Sequence, residues 1–262
     1  MLRYDIDTLD IKKIADSGQT FRMRPVEEGY FCIAGDRYCI TGGGLIDCPD
    51  SDNGFWNDYF DLGTDYNAFN AAIDPDDAYL CEAADYGKGI RILRQDPWEM
   101  LITFIISQRR SIPSIKTCTE ALCSKFGAVK DSSQGTFMSF PAPEALAAAS
   151  LDELSSCGLG YRTEYVSLAA RSVSDGSMDL NSLKQLDDAQ LLQALMSLRG
   201  VGPKVANCIS LFGYHRIAAF PIDVWIDRVL KEHYPEGFPF ERYDGFAGVM
   251  QQYMFYAARK QI

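Results

Sequence analysis

The chain of 262 residues contains only two histidines and no Cys-x-x-Cys pair, which excludes a zinc site built on the usual ligand spacings. Its eight cysteines are Cys32, Cys39, Cys48, Cys81, Cys118, Cys123, Cys157 and Cys208. None follows Cys208, so a C-terminal iron–sulfur cluster is excluded as well. In a reducing compartment these thiols read as small core residues. No run of eighteen or more apolar residues occurs, so no membrane-spanning helix and no membrane partner are expected. The first residues, Met1-Leu2-Arg3-Tyr4-Asp5, lack the apolar stretch and small-residue cleavage site of a secretory signal, and a cytoplasmic location is expected. No internal repeat and no low-complexity segment is present.

Basic residues are the minority: 25 Lys and Arg stand against 36 Asp and Glu, for a net charge of −11. Taken as an average, that opposes a polyanionic partner. Such binding needs a local basic face and not a basic mean, however, and acidic residues crowd the stretch from Asp47 to Asp85. Any polyanion is expected to bind in a salt-sensitive way.

What remains is an ordinary globular balance, 47% hydrophobic and 23% charged, enough for one large domain or two modest ones. The first eighty-odd residues read as β-rich. Tyr30-Phe31-Cys32-Ile33 and Tyr38-Cys39-Ile40 flank a turn at Ala34-Gly35-Asp36-Arg37, and Phe21-Arg22-Met23-Arg24 alternates like a strand. Near Gly87-Lys88-Gly89 the character changes to helix signals. Asp96-Pro97-Trp98-Glu99 supplies an N-cap, a first-position Pro and a third-position Glu. Further helices are expected after Pro113 up to Gly127, from the capping box at Ser150–Glu153 to Gly158, through Tyr165 and Ala169, and from Asp187 to Leu198. Others are expected from Pro203 to Gly213, after Asp223, and from Gly245 to Lys260. The expected class is α+β: an N-terminal antiparallel β-sheet domain over residues 1–88, then a mostly α-helical region over 89–262.

Chemistry concentrates in Leu195-Met196-Ser197-Leu198-Arg199-Gly200-Val201-Gly202-Pro203-Lys204-Val205-Ala206. Leu195, Leu198 and Val201 pack two helices across a Gly-Val-Gly turn, a helix-hairpin-helix over about 188–213. Gly200 and Gly202 let the backbone turn tightly and approach a ligand. Pro203 opens the second helix, whose free N–H groups favour a phosphate. A helical hairpin with a glycine turn and no ligand is the plain alternative. Lys204 lies in the first turn, where the helix dipole and partial burial disfavour an ammonium and favour an attacking amine. A phosphate-binding lysine fits the same position. Asp223 can cap the helix that begins at Val224, and can equally aim a carboxylate at a developing positive charge.

A helix-hairpin-helix, a Gly/Pro loop and then an Asp make a pattern that resembles the helix-hairpin-helix (HhH-GPD) DNA glycosylases, and within them the 8-oxoguanine DNA glycosylase/lyases of bacterial type. The resemblance runs through Ser17–Arg22, Leu93–Pro97, Gly158–Arg162, Gly200–Ala206 and Phe246–Phe255. It implies base-excision repair of double-stranded DNA by a monomer, at the nucleoid of a prokaryote. Lys204 would attack the sugar C1′, form a Schiff base and allow β-elimination, with Asp223 in support. The Gly18 carbonyl would accept the N7 hydrogen peculiar to 8-oxoguanine. Phe255 and Cys208 would sandwich the base, and Gln251 would bond its Watson–Crick edge. Without the resemblance, Phe255 reads equally as core, Cys208 as a buried thiol and Gln251 as surface. Tyr161 would wedge into the duplex and Arg162 would contact the orphaned cytosine. A monovalent cation (K+ or Na+) would sit on the carbonyls of Met196, Leu198 and Val201; no other cofactor is implied.

The chain departs from the pattern at several positions. Arg109 replaces the Asn that fills the vacated stack, and Ser114 stands where eukaryotic members carry a second cytosine-reading arginine. Trp225 replaces a histidine just after the Asp, which alters either a phosphate contact or the packing of the pocket, and Arg199 replaces a common Pro and is a candidate phosphate contact. Two rival readings are a monofunctional glycosylase for alkylated bases, which uses the Asp with water and usually lacks the lysine, and a non-catalytic helix-hairpin-helix DNA-binding protein.

Overall fold

A computed structural model describes residues 1–260. Strands β1 (Leu2–Arg3), β2 (Met23–Val26), β3 (Gly29–Ala34), β4 (Arg37–Gly42) and β5 (Leu45–Asp47) form one antiparallel sheet in the order β1-β5-β4-β3-β2. The expected hairpin is β3–β4, with Cys32 opposite Cys39 and Ala34 opposite Arg37. Gly35 closes its two-residue turn at φ +59°, a conformation that costs glycine nothing. Alternate residues face opposite sides. Cys32, Ala34, Cys39 and Ile46 pack against Trp56, Tyr59 and Phe60, while Phe31, Ile33 and Ile40 pack against Phe137.

The β-rich stretch expected through residue 88 ends at Asp47. Helix α1 (Ile11–Asp16) precedes β2, and α2 (Asn53–Tyr59), α3 (Tyr66–Ala71) and α4 (Ala78–Gly87) follow the sheet. The reason lies in the spacing of Trp56, Tyr59 and Phe60, which is helical and which buries all three rings. The acidic residues of this stretch work as caps: Asp65 and Asp77 accept the N–H groups of Asn67 and Leu80. Tyr66, Leu80 and Ala83 join the helical core, and the first packing unit therefore does not extend to residue 88. The strand expected at Phe21 begins instead at Met23, because Phe21 turns into the helical body and packs edge-on against Phe104 at 5.8 Å.

The helical body comprises α5 (Pro97–Ser107), α6 (Ile112–Phe126), α7 (Pro143–Ala148), α8 (Leu151–Ser155), α9 (Thr163–Ser174), α10 (Asp188–Met196), α11 (Pro203–Gly213), α12 (Val224–His233) and α13 (Ala247–Lys260). The capping box at Ser150 and Glu153 forms as expected. An unexpected hairpin, β6 (Val129–Ser132) with β7 (Gly135–Met138), interrupts the helices, and its Phe137 covers the outer face of the sheet. Helix α5 is buried on every side and runs through the centre of the body.

Glu99 links the two parts. Asp96 caps α5 by accepting the Glu99 N–H at 3.0 Å, but the Glu99 side chain does not return to the cap. It reaches across to the β3–β4 turn and accepts the Gly35 N–H at 3.2 Å. Burial pushes its carboxyl up to about 7 despite the attraction of Arg22. An acid raised in the folded state stabilises it fully below the unfolded value of about 4.5, and that contribution is lost as pH rises through about 7. Glu99→Gln removes the titration. Denaturant unfolding at pH 5 and pH 8 should therefore show the variant gaining about 2.5 kcal/mol relative to the parent across that interval. Parallel pH profiles would mean that Glu99 is charged in both states.

Candidate active site

Helices α10 and α11 form the expected hairpin around buried Leu195, Leu198, Val201 and Val205. Gly200 sits at φ +87°, and a Cβ there would lie 2.5 Å from the Tyr165 ring, so both the turn and its packing require glycine. Gly202 is exposed and extended at the N-cap of α11, with no side chain capping the helix. The first N–H groups of α11 thus have no side-chain cap, as an anion-binding helix start requires.

Lys204 is half-buried on the first turn of α11, its ammonium 5.6 Å from the centroid of the Phe104 ring. It lines a narrow cleft of about 40 Å³ together with Gly18, Cys208, Asp223, Gln251 and Phe255. Six residues singled out from sequence, spread from position 18 to position 255, therefore meet in one cleft. Asp223 begins α12, and a single oxygen, Oδ1, accepts the N–H groups of Trp225 and Ile226, each at 3.0 Å. Capping and a role in the cleft are compatible, because capping occupies one oxygen only.

The inner wall follows from packing. Cys208 is 3% exposed, and burial pushes its thiol up against the opposing pull of Lys204, so it presents a neutral sulfur. Gln251 donates its Nε2 hydrogen to the Pro221 carbonyl at 2.9 Å, and its buried Oε1 has no partner. Gly18 stands at φ +77°, and a Cβ there would meet Ile112 Cδ1 at 2.9 Å and Phe255 Cε1 at 3.3 Å. Any side chain at this position narrows the slot beside Phe255.

The turn that carries Gly18 is locked by buried amides. Ser17 Oγ donates to the Ile14 carbonyl at 2.8 Å, and Gln19 Nε2 donates to Ser17 Oγ at 3.0 Å and to the Arg91 carbonyl at 2.8 Å. Gln19 Oε1 accepts the Leu93 N–H at 2.9 Å, and Gln95 Nε2 donates to the Gln19 carbonyl at 2.8 Å. This network is the physical content of the Ser17–Arg22 and Leu93–Pro97 segments: together they hold one glycine turn rigid.

A groove of about 990 Å³ leads from the cleft past Gln108–Pro113, Gly202–Val205 and Ile222–Trp225 to Arg259. Arg109 is exposed on it at φ +51°, a region that asparagine tolerates better than arginine does. Trp225 lies on the same groove beneath Arg228, whose guanidinium is 5.4 Å from the ring. Tyr161 is 54% exposed, as a wedge requires. Arg162 is placed otherwise: it is 4% exposed, and its guanidinium donates to the carbonyls of Leu159 and Gln108. Arg199, a candidate phosphate contact, pairs with Glu164 at 2.9 Å. Met196 is exposed at the end of α10, whereas Leu198 and Val201 are buried.

Residues not singled out from sequence also shape the site. Gln108 Nε2 donates to the Gly200 carbonyl at 3.1 Å and so ties the end of α5 to the hairpin. Arg110 reaches Ser114 Oγ at 3.0 Å and the Gly158 carbonyl, joining the loop after α5 to the loop that carries Tyr161. Both lie in the polar run after α5, whose composition marks a loop without telling which partners it takes. Gln252 lines the cleft beside Gln251, and its sequence position carries no signal beyond that adjacency.

Comparison with known proteins agrees with this geometry. Residues 47–101 match the N-terminal domain of 8-oxoguanine DNA glycosylase, and residues 102–237 match the HhH-GPD superfamily of base excision DNA repair proteins. A probable N-glycosylase/DNA lyase of Methanothermobacter thermautotrophicus is 27% identical, covering 99% of this chain and 96% of its own length. The 8-oxoguanine glycosylase/lyase of Clostridium acetobutylicum, solved with DNA containing cytosine opposite 8-oxoguanine, is 32% identical with a TM-score of 0.89, covering 97% of this chain and 93% of that one. MBOgg1, solved with a low-affinity DNA ligand, is 36% identical with a TM-score of 0.91, covering 98% and 94%. The fold, the hairpin lysine and the match across nearly the whole chain place this protein in the 8-oxoguanine DNA glycosylase/lyase family of the HhH-GPD superfamily.

Proposed function

We infer that the chain is a bifunctional base-excision-repair enzyme, removing 8-oxoguanine from duplex DNA and then cleaving the strand at the abasic site. The observation that carries this reading is the shared cleft of Lys204 and Asp223, backed by the free Gln251 acceptor and the Gly18 turn. The damaged nucleotide leaves the stack and enters the cleft. Lys204 Nζ, as the free amine, attacks C1′. The N-glycosidic bond breaks, and its electron pair leaves with the base, which takes up a proton. The resulting N,O-acetal opens to a Schiff base as the C1′–O4′ bond breaks and O4′ takes up a proton. Loss of a C2′ proton then drives β-elimination, in which the 3′ C–O bond breaks and the phosphate leaves with its electron pair. The Asp223 carboxylate stabilises the positive charge that develops on the sugar. Phe255 and Cys208 cover the two faces of the base. Gln251 Oε1 accepts from the Watson–Crick edge, and the Gly18 carbonyl accepts the N7 hydrogen that guanine lacks.

The first N–H groups of α11, with Gly200 and Gly202 shaping the turn, hold a backbone phosphate, and Trp225 packs beside it. Tyr161 wedges into the duplex. Arg109 occupies the vacated space, and Arg162 meets the orphaned cytosine after leaving the Gln108 and Leu159 carbonyls. Among the described residues no helix is long and apolar enough to cross a membrane. In a prokaryote the enzyme works at the nucleoid, as a monomer.

Excision assayed on duplexes carrying 8-oxoguanine opposite each of the four bases, beside a 3-methyladenine duplex, tests the reading. We expect release of 8-oxoguanine, with similar rates across opposite bases because Ser114 carries no guanidinium. Release of 3-methyladenine alone would move the chain to the alkylated-base branch, and binding without release would make it a DNA-binding protein only.

The Met196, Leu198 and Val201 carbonyls suit a monovalent cation, a hard ion that takes oxygen donors. They lie at the negative end of α10, and the Leu198 carbonyl accepts only the Val201 N–H, at 3.0 Å, among its backbone bonds outside the helices. When bound, the ion braces the turn and adds positive charge near the phosphate. Replacing K+ by tetramethylammonium at constant ionic strength should lower Tm and weaken duplex binding; no change in either would dismiss the ion.

A further inference from the structure

We propose that Gln252 is a second base-reading amide and, with Gln251, sets the preference for a donor-rich purine. Gln252 is 1% exposed and lines the cleft. Its Nε2 donates to the Ser17 carbonyl at 3.1 Å, which ties α13 to the turn bearing Gly18. Its Oε1 is buried and has no partner. The amide cannot be turned over, because that would set two acceptor oxygens against each other. The same reasoning holds for Gln251, whose Nε2 is committed to the Pro221 carbonyl at 2.9 Å. Adjacent residues of one helix thus line one small cleft, and each carries a buried acceptor without a partner.

Leaving buried acceptors unpaired costs free energy, and a ligand that supplies donors recovers it. Resting on the assignment of 8-oxoguanine to this cleft, the match is chemical. That base carries N–H donors at N1, N2 and N7, whereas 3-methyladenine offers its exocyclic amine alone. Gln251 and the Gly18 carbonyl leave at least one donor over, and Gln252 Oε1 takes it on the Ser17 side of the cleft. The residue thereby acts on both sides of the recognition step, holding the Gly18 turn with its N–H and the base with its oxygen.

Gln252→Met keeps the length of the side chain and removes both functions. We expect single-turnover excision of 8-oxoguanine to fall roughly 10-fold or more, the penalty of an unpaired buried donor. Borohydride cross-linking of Lys204 to a preformed abasic duplex, which contains no base, should stay within about twofold of the parent value on the same scale. Equal loss in both assays means that Gln252 acts only through the shape of the site, and overturns base reading. Unchanged excision overturns the proposal outright. A parent protein that cross-links to the abasic duplex but does not excise 8-oxoguanine overturns the assignment of the base, and this proposal with it.

Discussion

Lys204→Gln should abolish borohydride trapping on a duplex with 8-oxoguanine opposite cytosine and reduce excision by roughly three orders of magnitude or more, while duplex binding changes only a few-fold. Trapping requires an amine that forms a reducible imine, and an amide cannot supply one. Lys204 lies at the mouth of the cleft, only half-buried, so glutamine fits without leaving a cavity. In the proposed function phosphate is held by backbone N–H groups at the uncapped start of α11, and these survive the substitution. Gel-shift titration beside the trapping assay separates the two effects. Trapping that persists in the variant would place the nucleophile elsewhere. Binding lost together with trapping would make Lys204 a phosphate contact.

The second large effect is expected at Asp223. Its Oδ1 caps α12 through two N–H groups, so the stability and the chemistry of this residue must be separated. Asparagine caps a helix about as well as aspartate but carries no charge. Asp223→Asn should therefore keep Tm within about 2 °C while excision falls about 100- to 1,000-fold, the usual scale for removing one preorganised electrostatic group. Asp223→Ala should lose the activity and, in addition, about 1 kcal/mol of stability, because the two N–H groups are left without an acceptor. Thermal melts and single-turnover rates on both variants decide the matter. An active asparagine variant would reduce Asp223 to a cap.

Both predictions concern residues whose local setting can be read directly from the chain. Gly200, Pro203 and the apolar spacing around them specify a hairpin with a lysine at a helix start. Asp before Val224 specifies a cap. The same rules misjudged residues 53–87 as β-rich, where Asp65 and Asp77 are N-caps and the helical spacing of Trp56, Tyr59 and Phe60 carries the structure. They also gave Glu99 to its own cap, although its carboxylate reaches the β3–β4 turn 64 residues away. Local preference names a side chain's nearest partner; packing decides whether that partner is the one used.

Arg162 shows the consequence for function. The Gly158–Arg162 segment marks a loop at the duplex, and Tyr161 is exposed as that role requires. The Arg162 guanidinium is instead engaged by carbonyls of its own loop and of Gln108. A contact to the orphaned cytosine then demands that these bonds be exchanged for bonds to the base, a cost that weakens discrimination of the opposite base. Ser114 bears no charge to compensate. Arg110 reaches the Ser114 hydroxyl at 3.0 Å, but its guanidinium also holds the Gly158 carbonyl.

The sequence alone determined the hairpin, the lysine at the start of α11, the capping aspartate and the helical character of the second half. These depend on interactions within a few residues, where backbone geometry leaves little choice. The resemblance implied that Gly18, Cys208, Gln251 and Phe255 surround one base, but only the tertiary structure brings them into a cleft with Lys204 and Asp223 and fixes which way the Gln251 and Gln252 amides point. Those outcomes rest on hydrogen bonds between segments up to 235 residues apart, as between Gln252 and Ser17. Such pairs form because close packing leaves each buried polar group few partners, and no local propensity encodes which one it will meet.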